Sequence, residues 1–294
     1  MMGVAERPEP PIGLRRTCPA APWWLRALSF VDRLYGGFAI ARDELALSRL
    51  REDQWTSVVV ERYEAAIGFY GGLNNERGFV EDEQALVDRW LPPPPGRVLV
   101  TAAGAGREVL ALAAQGYDVA AFDPAEPLFD DLKRALALRG IDAPVALSSY
   151  EDFMHAVLGP GKVEGLGDVL RAAPYSAVLL GLNSFTHLRT PEVRVRLLEA
   201  CRAICPSGPV LASFYLEHVP MSRVRARARS LFARLPGAQS VTPGDQVGIY
   251  GYEHAFEQEE LRELAAQAGY ELAHLAPGFI PCAVFLPPTA PSDL

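Results

Sequence analysis

The stretch that decides the fold is residues 97–124, RVLVTAAGAGREVLALAAQGYDVAAFDP. Residues 97–100 are mostly apolar and β-branched, as a buried strand requires. Residues 101–106 are small and glycine-rich. Residues 108–115 carry apolar side chains at helical spacing, and Gly116 can close that helix in the left-handed conformation. Residues 119–122 read as a second buried strand, closed by Asp123. The segment is one βαβ unit with a tight glycine turn between strand and helix. Gly104 and Gly106 have no Cβ, so the backbone can bend sharply and a ligand can approach it. The N–H groups that open the next helix then face that ligand. Asp123, at the end of the following strand, can accept hydrogen bonds from both hydroxyls of a ribose. Packing alone would explain a glycine pair; glycine turn, strand and acid together point to a nucleoside.

A dinucleotide fingerprint would place its third glycine at position 109, where this chain has Val109. The stretch instead resembles motif I of the class I S-adenosylmethionine-dependent methyltransferases, an acid at the end of the first strand followed by GxGxG. Gly104 and Gly106 match the last two glycines, while Val100 stands at the acid and Ala102 at the first glycine. In the resembled family that acid helps fix the methionine end of the cofactor, so its absence bears on affinity rather than on fold. The resemblance implies S-adenosylmethionine as cofactor and methyl transfer to a small-molecule acceptor. It assigns the cofactor site to Thr101, Ala102, Gly104 and Gly106 of the turn, to Asp123 and Pro124, to Ser149 and Tyr150 at the adenine edge, and to Asn183. Tyr150 would stack on the base; a plain helix cap explains Ser149 equally well.

Composition narrows the classes. Nearly half of the 294 residues are hydrophobic and 22% are charged, as in a globular protein. A net charge of −8 argues against nonspecific nucleic-acid binding. Cys18, Cys201, Cys205 and Cys282 fit neither a zinc pattern nor a disulfide framework, so no metal is expected. The N-terminus has no clean signal sequence and no apolar run reaches about 18 residues. The expectation is a cytoplasmic protein without integral membrane association.

Residues 1–20 read as a flexible tail rich in proline. Trp24, Leu28, Val31, Tyr35 and Phe38 recur at helical spacing, which predicts an amphipathic helix packed on the main domain and broken or kinked at Gly36-Gly37. Residues 43–70 and 81–90 are helical, and prolines 92–95 stop the last helix. Residues 21–91 therefore form a helical cap segment, and 92–288 a methyltransferase-like Rossmann domain. Beyond Asp123 the alternation continues, with a helix ending at Gly140 and strands at 144–147, 175–182 and 209–215. Thr190-Pro191 caps the helix before the last of these. The segment CRAICPSGPVLASF is similar to the helix-turn-strand that follows the fourth strand in small-molecule methyltransferases. A helix at 259–268 precedes strands at 270–275 and 279–286. The predicted fold is α/β, a doubly wound and mostly parallel seven-stranded Rossmann-like sheet whose last strand is antiparallel. That terminal hairpin is a mark of the resembled family and absent from dinucleotide folds.

An inserted helix lies within 221–236. Val224, Ala228, Leu231 and Leu235 share one face, with Arg223, Arg227 and Arg234 on one side and Arg225 and Arg229 on the other. The arginines either reach into water from a covering helix or attract an anionic acceptor. His187 and His218 fall at the ligand-bearing edge of the sheet and His254 within reach of the same mouth; as candidate bases His218 ranks first, then His187 and His254, and the alternative is that no base is used. Two other functions stay open on sequence alone. One is a protein that binds the cofactor or a related nucleoside without transferring methyl; the other, a nicotinamide-dependent oxidoreductase, is disfavoured by Val109 and the hairpin.

Overall fold

Val98, Leu99 and Val100 are completely buried because their strand lies inside the sheet with helices on both faces. The computed structural model describes residues 23–71, 77–160, 165–216, 221–278 and 280–288, so the expected tail at 1–20 and His218 lie outside the described residues. The main strands are β1 (Arg97–Thr101), β2 (Asp118–Asp123), β3 (Val145–Leu147), β4 (Ala177–Leu180) and β5 (Val210–Ser213). A small hairpin follows, β6 (Asp245–Gly248) and β7 (Gly251–His254), and then β8 (Glu271–Ala276) and β9 (Cys282–Leu286). The large sheet runs β3-β2-β1-β4-β5-β9-β8. Its first five strands are parallel, and β9 enters antiparallel between β5 and β8. The doubly wound sheet with an antiparallel last strand is the predicted architecture.

Alternation along the strands sorts side chains into two cores. Leu99, Ala120, Phe122, Val178 and Leu180 face one layer. That layer contains α7 (Tyr150–Leu158), α9 (Pro191–Ile204) and α11 (Gln258–Gln267). Val98, Val100, Val119 and Ala121 face the other. There α4 (Glu81–Trp90), α5 (Arg107–Ala114) and α6 (Glu126–Arg139) pack. The helix ends follow local chemistry. Gly140 closes α6 at φ 63°, where a side chain would strain the backbone. Thr190 caps α9, its Oγ1 accepting from the Val193 N–H at 3.3 Å, with Pro191 in the first turn.

The cap consists of α1 (Trp23–Arg49), α2 (Glu52–Ala65), the short α3 (Ile67–Tyr70) and α4. Three expectations are corrected here. First, α1 runs unbroken through Gly36-Gly37, where an added Cβ would meet nothing within 4 Å. Second, the apolar stripe of α1 does not pack on the main domain: Val31, Tyr35 and Phe38 are 57%, 71% and 70% exposed. Third, the inserted helix, α10 (Arg223–Phe232), buries none of its apolar stripe. It turns Arg225 and Arg229 toward Glu44 of α1, a carboxylate whose side chain is fully buried, at 2.6 Å each. A buried carboxylate needs such partners, and that need overrides the apolar periodicity. The β6–β7 hairpin adds a feature that the sequence pattern does not announce. It carries Tyr252, which packs with Trp55 and Leu47 of the cap in a separate small core.

Candidate active site

The order of the large sheet reverses between β1 and β4, and ligands of open α/β sheets bind at such a switch point, beyond the strand ends. A cavity of about 670 Å³ lies there. Its floor includes Ala102, Gly104, Asp123 and Tyr150, and its roof is formed by α2 and α3 through Val59, Val60, Tyr63, Phe69 and Tyr70. Most of the wall is apolar, with charged groups confined to a few positions, which is the usual make-up of a small-molecule site.

The glycine turn is built by left-handed backbone at alternate positions. Ala102, Gly104 and Gly106 have φ 47°, 55° and 95°. Ala102 thus takes a glycine-type conformation with a methyl group attached, a strained state for a residue other than glycine. At Gly104 an added Cβ would meet nothing within 4 Å, so this position opens into the cavity. Gly106 has a different reason: an added Cβ would stand 2.5 Å from Leu132 Cδ1. Gly106 therefore shapes the turn and does not border the cavity.

Asp123 closes β2 and holds the turn. Its Oδ2 accepts from the Gly104 N–H at 2.7 Å and its Oδ1 from the Ala125 N–H at 2.8 Å. Only 5% of the residue is exposed. Burial pushes the carboxyl up to about 6, with the two backbone N–H groups acting against that rise. Pro124 follows on the cavity wall. Thr101 is fully buried beneath the wall, its Oγ1 2.9 Å from the Tyr150 hydroxyl. That hydroxyl is also 2.6 Å from Ser184 Oγ at the end of β4. Tyr150 therefore ties three strand ends together while its ring borders the cavity and meets Phe122 edge-on.

Ser149 caps α7 in a reciprocal pair with Asp152, whose N–H donates to Ser149 Oγ at 3.1 Å. It also borders the cavity. Asn183 does not border the cavity. Its backbone sits at φ 55°, its N–H donates to Ser213 Oγ at 2.8 Å, and its side chain bonds Tyr215. Its Oδ1 is buried with no hydrogen-bond partner among the described residues.

Of the candidate bases, His187 and His254 lie among the described residues. His187 borders the cavity, but both ring nitrogens are engaged. A carbonyl only accepts, so Nδ1 donates to the Tyr252 carbonyl at 2.8 Å and Nε2 accepts from the Tyr63 hydroxyl at 3.0 Å. Burial pulls the imidazole down to about 4, the Tyr252 hydrogen bond opposing it. The ring stays neutral at physiological pH and serves to orient Tyr63. His254 is away from the cavity and 2% exposed, held between Asp245 Oδ1 at 2.7 Å and Glu260 Oε2 at 2.9 Å. It is part of a buried ionic network with Arg194, whose fully buried side chain reaches Glu260 at 2.8 Å. Arg223, Arg227 and Arg234 do not border the cavity, which removes the ground for an anionic acceptor drawn by them.

Several wall residues had no sequence signal. Glu52 opens α2 with both carboxylate oxygens 3.2 Å from the Arg189 N–H, and burial pushes its carboxyl up, with Arg189 opposing. Tyr63 stacks on Tyr250 at 4.4 Å between ring centroids and touches Tyr70 at 5.3 Å. Arg77, Arg107 and Glu108 border the same cavity. Among the described residues no group of three or more acidic, histidine or cysteine side chains could hold a metal.

No family model and no curated protein matches the sequence. Solved structures do match. The CcbJ methyltransferase from Streptomyces caelestis aligns with TM-score 0.51 at 15% identity, over 78% of this chain and 98% of that one. A S-adenosylmethionine-dependent methyltransferase from Leishmania major gives 0.51 at 14% identity, over 80% and 84%. One from Methanosarcina mazei gives 0.50 at 13% identity, over 71% and 96%. The fold is that of the class I methyltransferases. At these identities the likeness concerns the fold. No helix among the described residues is long and apolar enough to cross a membrane.

Proposed function

We propose that this chain is a S-adenosylmethionine-dependent methyltransferase acting on a small, largely apolar acceptor. The observation that carries the reading is the pairing of an open glycine at Gly104 with the buried Asp123 carboxylate, at the switch point of this sheet. Each carboxylate oxygen accepts one backbone N–H and keeps a lone pair for a ribose hydroxyl. Ala102, Gly104, Pro124, Ser149 and Tyr150 line the cofactor end, and Thr101 supports Tyr150 from below. When bound, S-adenosylmethionine supplies a methyl group on a positively charged sulfur that is already activated for attack. The chain's own part is to hold the acceptor in line and keep water out. The roof of Val59, Val60, Tyr63, Phe69 and Tyr70 suits an apolar ring-sized acceptor. Where the acceptor must lose a proton, Glu52 is the receiving group, since it borders the cavity and its carboxylate has a raised proton affinity and a single shared backbone donor.

Calorimetric titration with S-adenosylmethionine and S-adenosylhomocysteine is expected to give saturable binding and a raised melting temperature. NAD serves as the control. Binding of NAD with neither adenosyl ligand bound at millimolar concentration would overturn the reading. Release of S-adenosylhomocysteine during incubation with acceptors separates a transferase from a protein that only binds the nucleoside.

A further inference from the structure

Beneath the glycine turn lies a charge that the fold leaves unbalanced. Arg107, the first residue of α5, donates to Glu83 Oε2 at 2.6 Å and Oε1 at 2.9 Å, and to Glu108 Oε1 at 2.6 Å. It also donates to the Gly78 carbonyl at 2.9 Å, which fixes the segment before α4 against the turn. Glu83 is 8% exposed and Glu108 5%. Two buried carboxylates thus share one guanidinium, which leaves a formal charge of −1 when both are ionised. Burial raises the proton affinity of Glu108 despite Arg107, and Glu83 raises it further. A buried excess charge of this kind is stabilised by a second cation.

The position of that charge is informative. Glu108 borders the main cavity alongside Gly104, Ala105, Arg77 and Gly78. Asp123 lies across the turn and feels the Glu108 charge. A nucleoside whose ribose rests on Asp123 and which continues past Gly104 brings its other end over Glu108. Val100, where the usual acid would stand, is fully buried among aliphatic side chains and offers nothing to a ligand.

We propose that Glu108, backed by Glu83 and Arg107, binds the α-ammonium group at the methionine end of the cofactor and replaces the carboxylate missing at position 100. Arg77 borders the same end and matches the carboxylate of that zwitterion. The proposal rests on the methyltransferase reading above. A first-turn glutamate is also favourable at a helix N-terminus for reasons unrelated to any ligand, so the test must separate affinity from stability.

The test compares two ligands by calorimetry: S-adenosylhomocysteine, which carries the amino-acid end, and 5′-methylthioadenosine, which lacks it. Glu108→Gln keeps the shape and removes the charge. The expected result is at least ~10-fold weaker binding of S-adenosylhomocysteine, the effect of losing a charge-assisted hydrogen bond, with the affinity for 5′-methylthioadenosine changed by less than about 3-fold. Equal losses for both ligands, or no loss for either, would overturn the assignment while leaving the methyltransferase reading in place. Failure of the unaltered protein to bind either ligand would overturn that reading as well. If Glu108→Gln does not fold, the unaltered protein is titrated with the analogue of S-adenosylhomocysteine in which hydrogen replaces the amino group. Binding at least ~10-fold weaker supports the role of the ammonium group, and undiminished binding refutes it.

Discussion

Asp123→Ala probes the site at its centre, because this carboxylate serves the fold and the ligand together. Removing it leaves the Gly104 and Ala125 N–H groups without acceptors, at about 1–3 kcal/mol each. An opposing contribution comes from the buried charge. The carboxyl titrates at about 6 in the folded protein against an ordinary 3.8, a difference of about 3 kcal/mol. In this interval the folded state binds more protons than the unfolded state, so stability falls as pH rises. The contribution of Asp123 is complete below pH 3.8 and lost as pH passes through about 6. Asp123→Ala should therefore be most destabilising in acid and closest to neutral above pH 7. Binding runs the other way, because only the ionised carboxylate accepts from two ribose hydroxyls while holding both N–H groups. Affinity for S-adenosylhomocysteine should fall below pH 6 in the unaltered protein, approaching about tenfold per pH unit. In Asp123→Ala it should be at least ~10-fold weaker at pH 8 and should lose the part of the pH dependence that Asp123 carries. Calorimetry and thermal melts from pH 5 to 8 measure both trends. A variant that keeps full affinity at pH 8, or an unaltered protein whose affinity is flat over this range, would refute the reasoning.

Four further outcomes are expected. Gly106→Ala should lower stability by about 2 kcal/mol or more, since φ is 95° and the methyl group meets Leu132. Gly104→Ala should cost only about 1 kcal/mol of backbone strain, but weaken ligand binding by projecting into the cavity; melting and titration of the pair check this ordering. Glu44→Gln leaves Arg225 and Arg229 without their shared carboxylate and should cost about 3 kcal/mol in urea unfolding. An unchanged midpoint would show that α10 is held by other contacts. Tyr63→Phe strips His187 Nε2 of its donor and should cost about 1–2 kcal/mol, with a measurable drop in melting temperature.

What was legible in the sequence was locally encoded. The turn between β1 and α5, the Ser149–Asp152 cap and the Thr190-Pro191 start of α9 each depend on residues within a few positions of one another. The β8–β9 hairpin followed from two apolar runs separated by Pro277-Gly278, while the antiparallel entry of β9 beside β5 followed from the family resemblance. The errors arise where the deciding partner is remote. Arg225 meets Glu44 across 181 positions and Tyr63 meets His187 across 124. No periodicity announces either pair. The β6–β7 hairpin, DQVGIYGYEH, has no strand-like alternation to announce it: Gly248 and Gly251 flank its turn and Gly244 stands just before it. Its strands are stabilised by cap side chains such as Trp55 and not by the large sheet. The spacing along α1 put Val31, Tyr35 and Phe38 at helical intervals, yet spacing says nothing about what covers them.

Three carboxylates of the cap reach beyond it and set where it sits. Glu44 joins α10 through Arg225 and Arg229, Glu52 accepts from the Arg189 N–H, and Glu83 grips Arg107 beneath the turn. Buried ion pairs add little net stability once desolvation is counted, but a wrongly seated one is severely destabilising. Adhesion of the cap thus comes from apolar contacts such as Leu47 and Trp55 with Tyr252, while the carboxylates fix its position. Small shifts of α2 would move Glu52, Val59, Val60 and Tyr63 together, and with them the whole roof of the cavity. The floor, built on Asp123 and Gly104, would be unchanged. Under the proposed function, recognition of the cofactor resides in the sheet and discrimination among acceptors in the seating of the cap, and those two properties can vary independently.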